Sequence, residues 1–390
     1  MKVLYDYQAF AMQKYGGISR CFYELYNHLP DGVKGTISLL ESDNAYTSQL
    51  EGVHPNGYLQ EHFICKRHFF GKGHLFLWTD KFRKHKFFPN YNKNYSIEQL
   101  RAGEYDVFHP TFFDDYFLPY LNGKPFVLTI HDMIPEQYPQ YYSENEYQIA
   151  MKRRLAPLAS AIVAVSETTK KDVIRILGVP EKKVHVVYHG CSLPEVEESS
   201  SPFSFPYIFY VGSRWGYKNF TRFVELVAPL LKRYENLYIV CSGGEFVETE
   251  LTLFESLGLS GRFIQRWVKD DTELYSLYHH AVCFVYPSEY EGFGIPILEA
   301  YKANCPVVLN YESCFPEIAG DAALYFHMNS NHSNLEEQIE KVLNMNDAER
   351  KLLLGRQLKR LSFFSWESSA KNLADIYKSV VRTVRYGTAE

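Results

Sequence analysis

Two acidic residues flank a glycine turn in the stretch PSEYEGFGIPILEA, residues 287–300. Between Glu291 and Glu299 the chain reads GFGIPIL, in which two glycines let the backbone approach a ligand and Pro296 suits the first turn of a helix. The free amides of a helix start favour an anion. If the segment were helical throughout, the acids would lie about 12 Å apart, the scale of a nucleoside diphosphate sugar. The stretch therefore predicts that one acid binds sugar hydroxyls and the other binds ribose hydroxyls.

A plainer interpretation of this stretch is a strand, a glycine turn and a capped helix with solvated acids, because a lone glycine turn is a weak signal. A second stretch favours the ligand site. In YVGSRWGYKNF, residues 210–220, Arg214 and Lys218 follow a predicted strand and Asn219 lies near a helix start. Two cations there would neutralise a pyrophosphate leaving group without a metal. The alternative for this stretch is an ordinary solvated basic loop.

A third glycine-containing stretch lies near the start of the chain, where QKYGGISRCFYELYNHL places Gly16 and Gly17 before an amphipathic helix predicted to begin near Ser19. The pattern is not the G-x-G-x-x-G dinucleotide fingerprint, and no Walker-type G-x-x-x-x-G-K-[ST] occurs in the chain. Hydride transfer and nucleotide triphosphate hydrolysis therefore lose their main support.

The elements that must position these residues follow an alternating pattern. Apolar runs rich in Val, Ile, Phe and Tyr alternate with amphipathic stretches of helical length, which is typical of βα units around parallel sheets. Strands are predicted near residues 2–5, 107–109, 126–130, 161–165, 184–188, 207–211, 237–241, 262–266, 282–286, 306–309 and 323–326. The fold class is therefore α/β, with two doubly wound domains facing a cleft.

The domain boundaries are predicted from length and from one polar stretch. At 390 residues the chain exceeds the usual size of one domain. Residues 193–206, LPEVEESSSPFSFP, form the predicted linker, because their Pro, Ser and Glu pack poorly in either core. The first domain then spans 1–192 and the second 207–365. The tail 366–390 has helical spacing with Ser365 as its N-cap, and we expect it to cross back to the first domain.

Ligands of such sheets bind at the carboxyl ends of the strands. Segments that follow predicted strands include His131-Asp132 in the first half and residues 212–218, 242–244 and 287–294 in the second. We expect a nucleobase to be recognised near RWVKDD, residues 266–271, although spacing does not distinguish guanine from uracil.

Composition excludes several other classes of protein. A formal charge of -5 and a pI near 6.3 argue against a nucleic-acid partner, which normally needs a net basic face. The start MKVLYDYQAF is too short an apolar run for a signal peptide, and no stretch is long and apolar enough for a membrane span. The seven cysteines are scattered without a Cys-x-x-Cys pair, which indicates reduced core residues of a cytoplasmic protein.

Taken together, these motifs resemble glycosyltransferase family 4, the retaining nucleotide-sugar transferases of the two-Rossmann GT-B fold. The span from Glu291 to Glu299 is similar to the family's E-x7-E motif, and Arg214 with Lys218-Asn219 is similar to its R-x-x-x-K-N diphosphate clamp. Residues 161–190 and CFPEIAGDAALYF resemble its crossover to the linker and the segment after its donor helix. The stretches DYQAFAMQKYGGISR and LTIHDMIPEQYP look more narrowly like enzymes that build bacterial O-antigen or capsule, several of them mannosyltransferases.

The resemblance implies roles for residues of the second domain. Glu299 would hold the ribose and Glu291 the hydroxyls of the donor sugar. Arg214 and Lys218 would stabilise the departing diphosphate. The backbone amides that would contact sugar and phosphate are those of Gly292, Phe293, Gly294 and Ile295.

The resemblance also implies roles for the first domain. Gly16 and Gly17 would let this domain close over the diphosphate, and His131 would bind the donor sugar near the reacting carbon. The alternative for His131 is a histidine that caps the next helix alongside Asp132. One departure is visible, because His189-Gly190-Cys191-Ser192 stands where the family often has Asn-Gly-Val-Asp, which puts a contact from that final acid in doubt.

The mechanism implied is transfer of a hexose, for example mannose, from a GDP- or UDP-linked donor to a hydroxyl of a growing, lipid-linked glycan, with the anomeric configuration retained. Such transfer passes through an oxocarbenium-like state, so charge stabilisation of the leaving diphosphate and exclusion of water should supply most of the catalysis. No Asp-x-Asp motif occurs, so we expect neither a metal nor another cofactor.

A basic and aromatic stretch, residues 65–93, indicates a contact with the inner face of the cytoplasmic membrane. It interleaves Lys and Arg with Phe and Trp and contains a single acid, Asp80, a composition that suits an anionic membrane surface. Peripheral binding there would bring the site to a lipid-linked acceptor. The alternative is a loop and helix whose aromatic residues pack inward.

Three other activities remain compatible with the sequence. A nucleotide-sugar 2-epimerase would need no acceptor, a sugar phosphorylase would need inorganic phosphate, and a non-catalytic transferase-like subunit would keep the fold without the chemistry. Intact Glu291, Glu299, Arg214 and Lys218 argue against the last of these.

Overall fold

The first half of the chain folds around parallel strands. The computed structural model describes residues 1–56, 58, 71, 90–142, 146–196, 200–328 and 333–386. The strands of this half are β1 (Lys2–Tyr5), β2 (Lys34–Ile37), β3 (Val107–His109), β4 (Val127–Ile130), β5 (Ala161–Ala164) and β6 (Val184–Val186). They form two parallel sheets in the orders β2-β1-β3 and β4-β5-β6, and a parallel bridge from Phe108 to Phe126 connects the two.

Helices of the first half pack around these strands, as βα units require. They are α1 (Gln8–Met12), α2 (Gly17–Asn27), α3 (Tyr91–Ala102), α4 (Ile134–Gln137), α5 (Glu146–Leu158) and α6 (Glu167–Leu177). The short helix α4 follows β4 directly, and α2 begins where the predicted glycine pair ends.

The second half contains one parallel sheet of six strands in the order β12-β11-β10-β7-β8-β9. These strands are β7 (Tyr207–Val211), β8 (Tyr238–Ser242), β9 (Phe263–Arg266), β10 (Cys283–Tyr286), β11 (Val307–Asn310) and β12 (Leu324–Phe326). The helices are α7 (Phe220–Arg233), α8 (Glu248–Ser256), α9 (Asp271–His279), α10 (Ile295–Lys302), α11 (Phe315–Ala319), α12 (Leu335–Leu343) and α13 (Asp347–Leu361). Hydrophobic clusters cover both faces of the sheet, which explains why its strands are nearly continuous apolar runs.

The strand order reverses between β7 and β10, which are neighbours in the second sheet. Such a reversal leaves a crevice at the carboxyl ends of the two strands. The loop after β7 carries Arg214 and Lys218, and the loop after β10 carries Glu291. The topology alone therefore brings the two predicted motifs together.

The last helix, α14 (Trp366–Tyr386), leaves the second half and packs against the first, as the sequence predicted. The Tyr377 hydroxyl lies 3.0 Å from the Tyr5 hydroxyl and 2.5 Å from Nδ1 of His109. Ser365 caps the helix by accepting a hydrogen bond from the Ser368 amide at 3.1 Å. The first domain's core thus contains residues from both ends of the chain.

The structure departs from the predicted elements in three places. Strand β2 was missed, helix α2 begins at Gly17 rather than near Ser19, and the described residues of the segment 193–206, which are 193–196 and 200–206, are better packed than its Pro, Ser and Glu suggested. Leu193 is buried, and Phe205 packs on Tyr238 with ring centroids 4.2 Å apart. The predicted membrane-contact stretch 65–93 lies almost wholly outside the described residues, so that prediction stays untested.

Candidate active site

The glycine turn between the two acids has the geometry of a helix start. Gly294 adopts a left-handed conformation with φ of 90°, and α10 begins directly after it with Pro296 in its first turn. The helix begins at Ile295 with Pro296 in its first turn, as the sequence indicated, so Glu291 lies in the loop before it and the spacing of a continuous helix does not apply to the two acids. The ring of Phe293 is buried and packs edge-on against His189 at 4.9 Å.

Glu291 forms a largely buried ion pair with Lys218. Lys218 Nζ lies 2.5 Å from Glu291 Oε1, and the two side chains are 14% and 11% exposed. The Tyr286 hydroxyl also hydrogen-bonds this carboxylate. The main chain is fixed as well, because the Glu291 amide donates to Ser313 Oγ at 3.2 Å and Ser313 Oγ donates to the Glu291 carbonyl at 2.8 Å. The acid predicted for the donor sugar is therefore held directly beside a cation predicted for its diphosphate.

Arg214 lies on the same loop but has different partners. Its Nε donates to Glu250 Oε1 at 2.8 Å, and Nη2 donates to the Glu245 carbonyl at 2.6 Å. The guanidinium also packs over the Phe246 ring, 4.8 Å from its centroid. Its role in binding a diphosphate stays a prediction, and that role would require Arg214 to share or exchange these contacts.

Glu299 is buried at the first-domain side of α10. Its Oε2 accepts a hydrogen bond from the Tyr278 hydroxyl at 3.1 Å. Burial raises the pKa of this carboxyl, and the nearby Arg20 guanidinium opposes that shift. Arg20 belongs to the first domain and forms two hydrogen bonds with Asp271 of the second, at 2.6 and 3.2 Å. The sequence did not single out this contact across the cleft.

The nucleobase segment borders a cavity of about 450 Å³ between the domains. Trp267 and Asp271 line it from the second domain, and Tyr15 and Tyr46 line it from the first. Trp267 is 65% exposed, so an aromatic face remains available to a flat ring. The cavity adjoins the Arg20–Asp271 contact and, through Arg20, the carboxylate of Glu299.

His131 faces the glycine turn from the first domain. Burial lowers the pKa of its imidazole to about 4, so the ring is neutral near pH 7. Its Nε2 is buried and finds no hydrogen-bond partner within the described part of the chain. Asp132 Oδ1 accepts a hydrogen bond from the amide of Ile134, the first residue of α4, at 3.0 Å, whereas the N-cap position itself is occupied by Met133. A buried ring nitrogen without a partner is what a hydroxyl of a bound sugar would satisfy.

The domains touch at the point where His131 meets Gly292. A Cβ atom built on Gly292 would lie 1.8 Å from the His131 carbonyl oxygen, so only glycine permits this approach. Thr169 Oγ1 donates to the Gly292 carbonyl at 3.2 Å. Of the first-domain glycines, Gly17 opens α2 with free space around it, whereas Gly16 is its N-cap in extended backbone and lies against Gln13.

Two further contacts between the domains were not predicted from the sequence. Glu317 accepts hydrogen bonds from the Glu167 and Thr168 amides at 2.7 and 3.0 Å, so an acid of the second domain caps α6 of the first. The Tyr290 hydroxyl donates to Asp172 at 2.6 Å. No local spacing marks such pairs, since each joins residues more than 100 positions apart.

One group of side chains in the described part of the chain has the chemistry to hold a metal ion. The ligand atoms of Cys21, His131 and His189 all lie within 4.8 Å of one another, and thiolate with imidazole is a ligand set that suits zinc. The Cys21 Sγ lies 3.5 Å from His189 Nδ1. The expectation that no metal is required stays a prediction.

The fold and this site place the chain among known enzymes. Residues 15–193 match the family described as "Glycosyltransferase Family 4", and residues 195–354 match "Glycosyl transferases group 1". The chain therefore belongs to the family 4 glycosyltransferases, and the resemblance noted in its motifs is confirmed. Its two Rossmann-like domains, each built around parallel strands, have the GT-B fold.

Curated relatives point to a narrower group. The O-antigen chain mannosyltransferase RfbU of Salmonella typhimurium is 27% identical over 208 residues, which are 53% of this chain and 58% of the relative. The O-antigen chain mannosyltransferase B of Escherichia coli is 26% identical over 283 residues, which are 68% of this chain and 72% of the relative. This chain is similar to both, although it spans less than two thirds of the first.

Solved structures share the fold at low sequence identity. HepE of Anabaena in complex with UDP-glucose has a TM-score of 0.68 at 17% identity, with 97% of this chain and 100% of that chain covered. WaaG, a glycosyltransferase involved in lipopolysaccharide biosynthesis, has a TM-score of 0.65 at 16% identity, with 97% and 99% covered. Within the described residues, no helix is long and apolar enough to span a bilayer.

Proposed function

We propose that this glycosyltransferase moves a hexose, with mannose as the first candidate, from a nucleoside diphosphate sugar to a hydroxyl of a growing surface polysaccharide. The observation that carries the proposal is the arrangement across the cleft. The buried Glu291–Lys218 pair lies on one side, and the unpartnered Nε2 of His131 lies on the other. Similarity to O-antigen mannosyltransferases supports mannose and a polysaccharide acceptor.

The donor would lie along the carboxyl ends of β7 and β10. Its base would enter the cavity beside Trp267, its ribose would reach Glu299, and its sugar would lie between Glu291 and His131. The complex of HepE with UDP-glucose supports a nucleotide sugar as the ligand of this fold. Burial lowers the pKa of His131, so its imidazole is neutral and offers one ring nitrogen to a sugar hydroxyl. A neutral ring also does not attract the diphosphate away from Lys218 and Arg214.

The chemical step would break the bond between the anomeric carbon and the diphosphate oxygen. Lys218 would stabilise the negative charge that develops on the leaving group, together with Arg214 on the same loop. The acceptor hydroxyl oxygen then bonds the same face of the anomeric carbon, and its proton passes to the departing phosphate oxygen. This path retains the configuration and needs no covalent nucleophile from the protein. The acceptor would be presented at the cytoplasmic face of the membrane.

Thermal unfolding with nucleotides tests the donor part of the proposal. A ligand present at about 100 times its dissociation constant stabilises the folded protein by about 2.7 kcal/mol. We expect one of GDP, UDP or ADP and its sugar conjugate to raise the melting temperature, and Glu299→Gln to weaken that response. Glu235→Ala, an exposed acid distant from the cleft, is the matched control. A protein that responds to no nucleotide would refute a nucleotide-sugar enzyme.

Product analysis separates the proposal from its rivals. Transfer that requires a glycan acceptor supports a transferase. Conversion of the nucleotide sugar without any acceptor would instead indicate an epimerase, and dependence on inorganic phosphate would indicate a phosphorylase. Nuclear magnetic resonance of the product would show whether the anomeric configuration is retained.

A further inference from the structure

An aromatic cluster at the mouth of the cleft has no role in the site described so far. Tyr138, Tyr141 and Tyr142 come from the first domain, where they follow α4, and Trp215 and Tyr217 come from the loop after β7. The Trp215 ring lies 5.6 Å from Tyr141 and 5.5 Å from Tyr142, and Tyr217 lies 6.2 Å from Tyr142 and 6.5 Å from Tyr138. We call these five residues the aromatic platform.

Trp215 is the exposed part of the platform. Although two tyrosines contact its ring at angles of 65° and 86°, the residue is 55% exposed. An exposed indole that is contiguous with other aromatic rings forms an apolar patch, and such patches mark binding sites more often than single exposed residues do. Trp215 therefore has free aromatic surface beside the cleft.

The platform adjoins the reacting groups. Arg214 and Lys218 flank Trp215 and Tyr217 in the sequence, and Lys218 contacts Glu291 at 2.5 Å. The hydroxyls of Tyr142 and Tyr217 hydrogen-bond each other, which joins the two domains. Burial raises the pKa of the Tyr217 phenol, and the nearby charges of Glu291 and Asp132 raise it further, so the phenol keeps its proton. The inner end of the platform is thus the place where the donor sugar is expected.

The chemistry of the platform fits a neutral sugar ring. Indole and phenol faces pack on the C–H face of a pyranose, and phenol hydroxyls exchange hydrogen bonds with its hydroxyls. The charges near Tyr138 of the platform are acidic. After burial, the carboxylates of Glu289, Glu312 and Asp172 raise the pKa of its phenol. Such surroundings disfavour a phosphate or a uronic acid, whereas an uncharged hexose meets no penalty.

We propose that the aromatic platform is the acceptor subsite, where a neutral sugar residue of the growing glycan stacks on Trp215 and presents a hydroxyl to the donor. The proposal rests on the proposed transferase function and goes beyond it by locating the acceptor and its chemical class. The subsite is assembled only when both domains meet, since three of its residues come from one domain and two from the other. Acceptor binding and cleft closure are therefore coupled.

Direct binding of sugars tests the subsite without any donor. Calorimetric titration would use methyl glycosides and linear oligosaccharides of mannose, glucose, galactose and N-acetylglucosamine, with methyl glucuronide as the charged counterpart. We expect at least one neutral glycan to bind and Trp215→Ala to weaken it about tenfold or more, with Trp215→Phe intermediate. Trp267→Ala, which removes the more exposed tryptophan at the predicted nucleobase cavity, should leave glycan binding within twofold.

Kinetics with the same variants give the second readout. Trp215→Ala should raise KM for the glycan about tenfold while the nucleotide-induced thermal shift stays unchanged, and Trp267→Ala should show the opposite pattern. Loss of nucleotide binding in Trp215→Ala with intact glycan binding would overturn the proposal, and so would a wild type that binds no neutral glycan or prefers the glucuronide. Glycan binding without any nucleotide response would leave the platform standing and refute the transferase function instead.

Discussion

Replacement of Gly292 by alanine tests whether the observed approach of the two domains is needed for activity. The added Cβ would lie 1.8 Å from the His131 carbonyl oxygen and 2.9 Å from its carbonyl carbon. Carbon and oxygen atoms rest at about 3.3 Å, so the two main chains would have to separate by about 1.5 Å. The backbone of Gly292 is not in the left-handed region, so alanine brings no strain of its own. The change acts only on the distance across the cleft.

The expected loss of kcat/KM follows from the position of the contact between His131 and Gly292. In the proposed function His131 would bind the donor sugar, and Gly292 follows Glu291, so the separation moves the two groups that would hold the reacting carbon. A misplacement of about 1 Å costs about 100-fold in rate, which is about 2.7 kcal/mol of transition-state stabilisation. We therefore expect Gly292→Ala to lower kcat/KM about 100-fold or more while the melting temperature without ligand falls by only a few degrees, because the domains can part without unfolding.

Gly244→Ala is the matched control. Gly244 follows a strand of the same sheet, it has no positive φ, and a Cβ there meets nothing within 4 Å. Transfer rates of the two variants would be compared under identical donor and acceptor concentrations, and small-angle scattering would report whether Gly292→Ala has the larger radius of gyration. If Gly292→Ala keeps kcat/KM within threefold of Gly244→Ala, the contact with His131 is not part of the active arrangement.

Two further predictions concern protons and metals. Burial lowers the pKa values of His109, His131 and His189 to about 3, 4 and 3, so the unfolded chain takes up these protons near pH 6.5 while the folded protein does not. The folded state loses stability as the pH falls below about 6.5, because only the unfolded chain binds these protons. The free energies of unfolding measured with urea at pH 7.5 and pH 5.5 should differ by about 4 kcal/mol, and a flat or opposite dependence would contradict this assignment. Treatment with EDTA should leave transfer within twofold, because Lys218 and Arg214 supply the positive charge. If activity is lost and zinc restores it in the wild type but not in Cys21→Ser, the cluster with His131 and His189 holds a required metal.

The strands that positioned the site were predictable because of how they are buried. All but one strand of the described residues appeared within two residues of the expected place, since strands covered on both faces must be continuous apolar runs. Strand β2 was missed because it reads KGTI and none of its residues is fully buried. Without a buried apolar run it lacks the signal that made the other strands visible.

The positions of the candidate residues in the fold were predictable, but their partners were not. Motif and strand position place Glu291, Glu299 and Lys218 at one edge of the sheet, because loops at the carboxyl ends of parallel strands meet; their roles stay predictions. The pairing of Lys218 with Glu291 depends on the reversal of strand order between β7 and β10, which no local pattern records. Arg20 and Glu317 were missed for the same reason, since each meets its partner only after two domains have come together.

The return of α14 to the first domain reverses the order in which the domains are completed during synthesis. The core of the first domain needs Tyr377, whose hydroxyl meets Tyr5 across 372 positions of sequence. The core layers of the second domain draw almost entirely on residues 193–364. A chain leaving the ribosome therefore supplies every residue of the second domain before the last helix of the first. Although multidomain chains usually fold from the N-terminus onward, this one has to finish with its N-terminal domain.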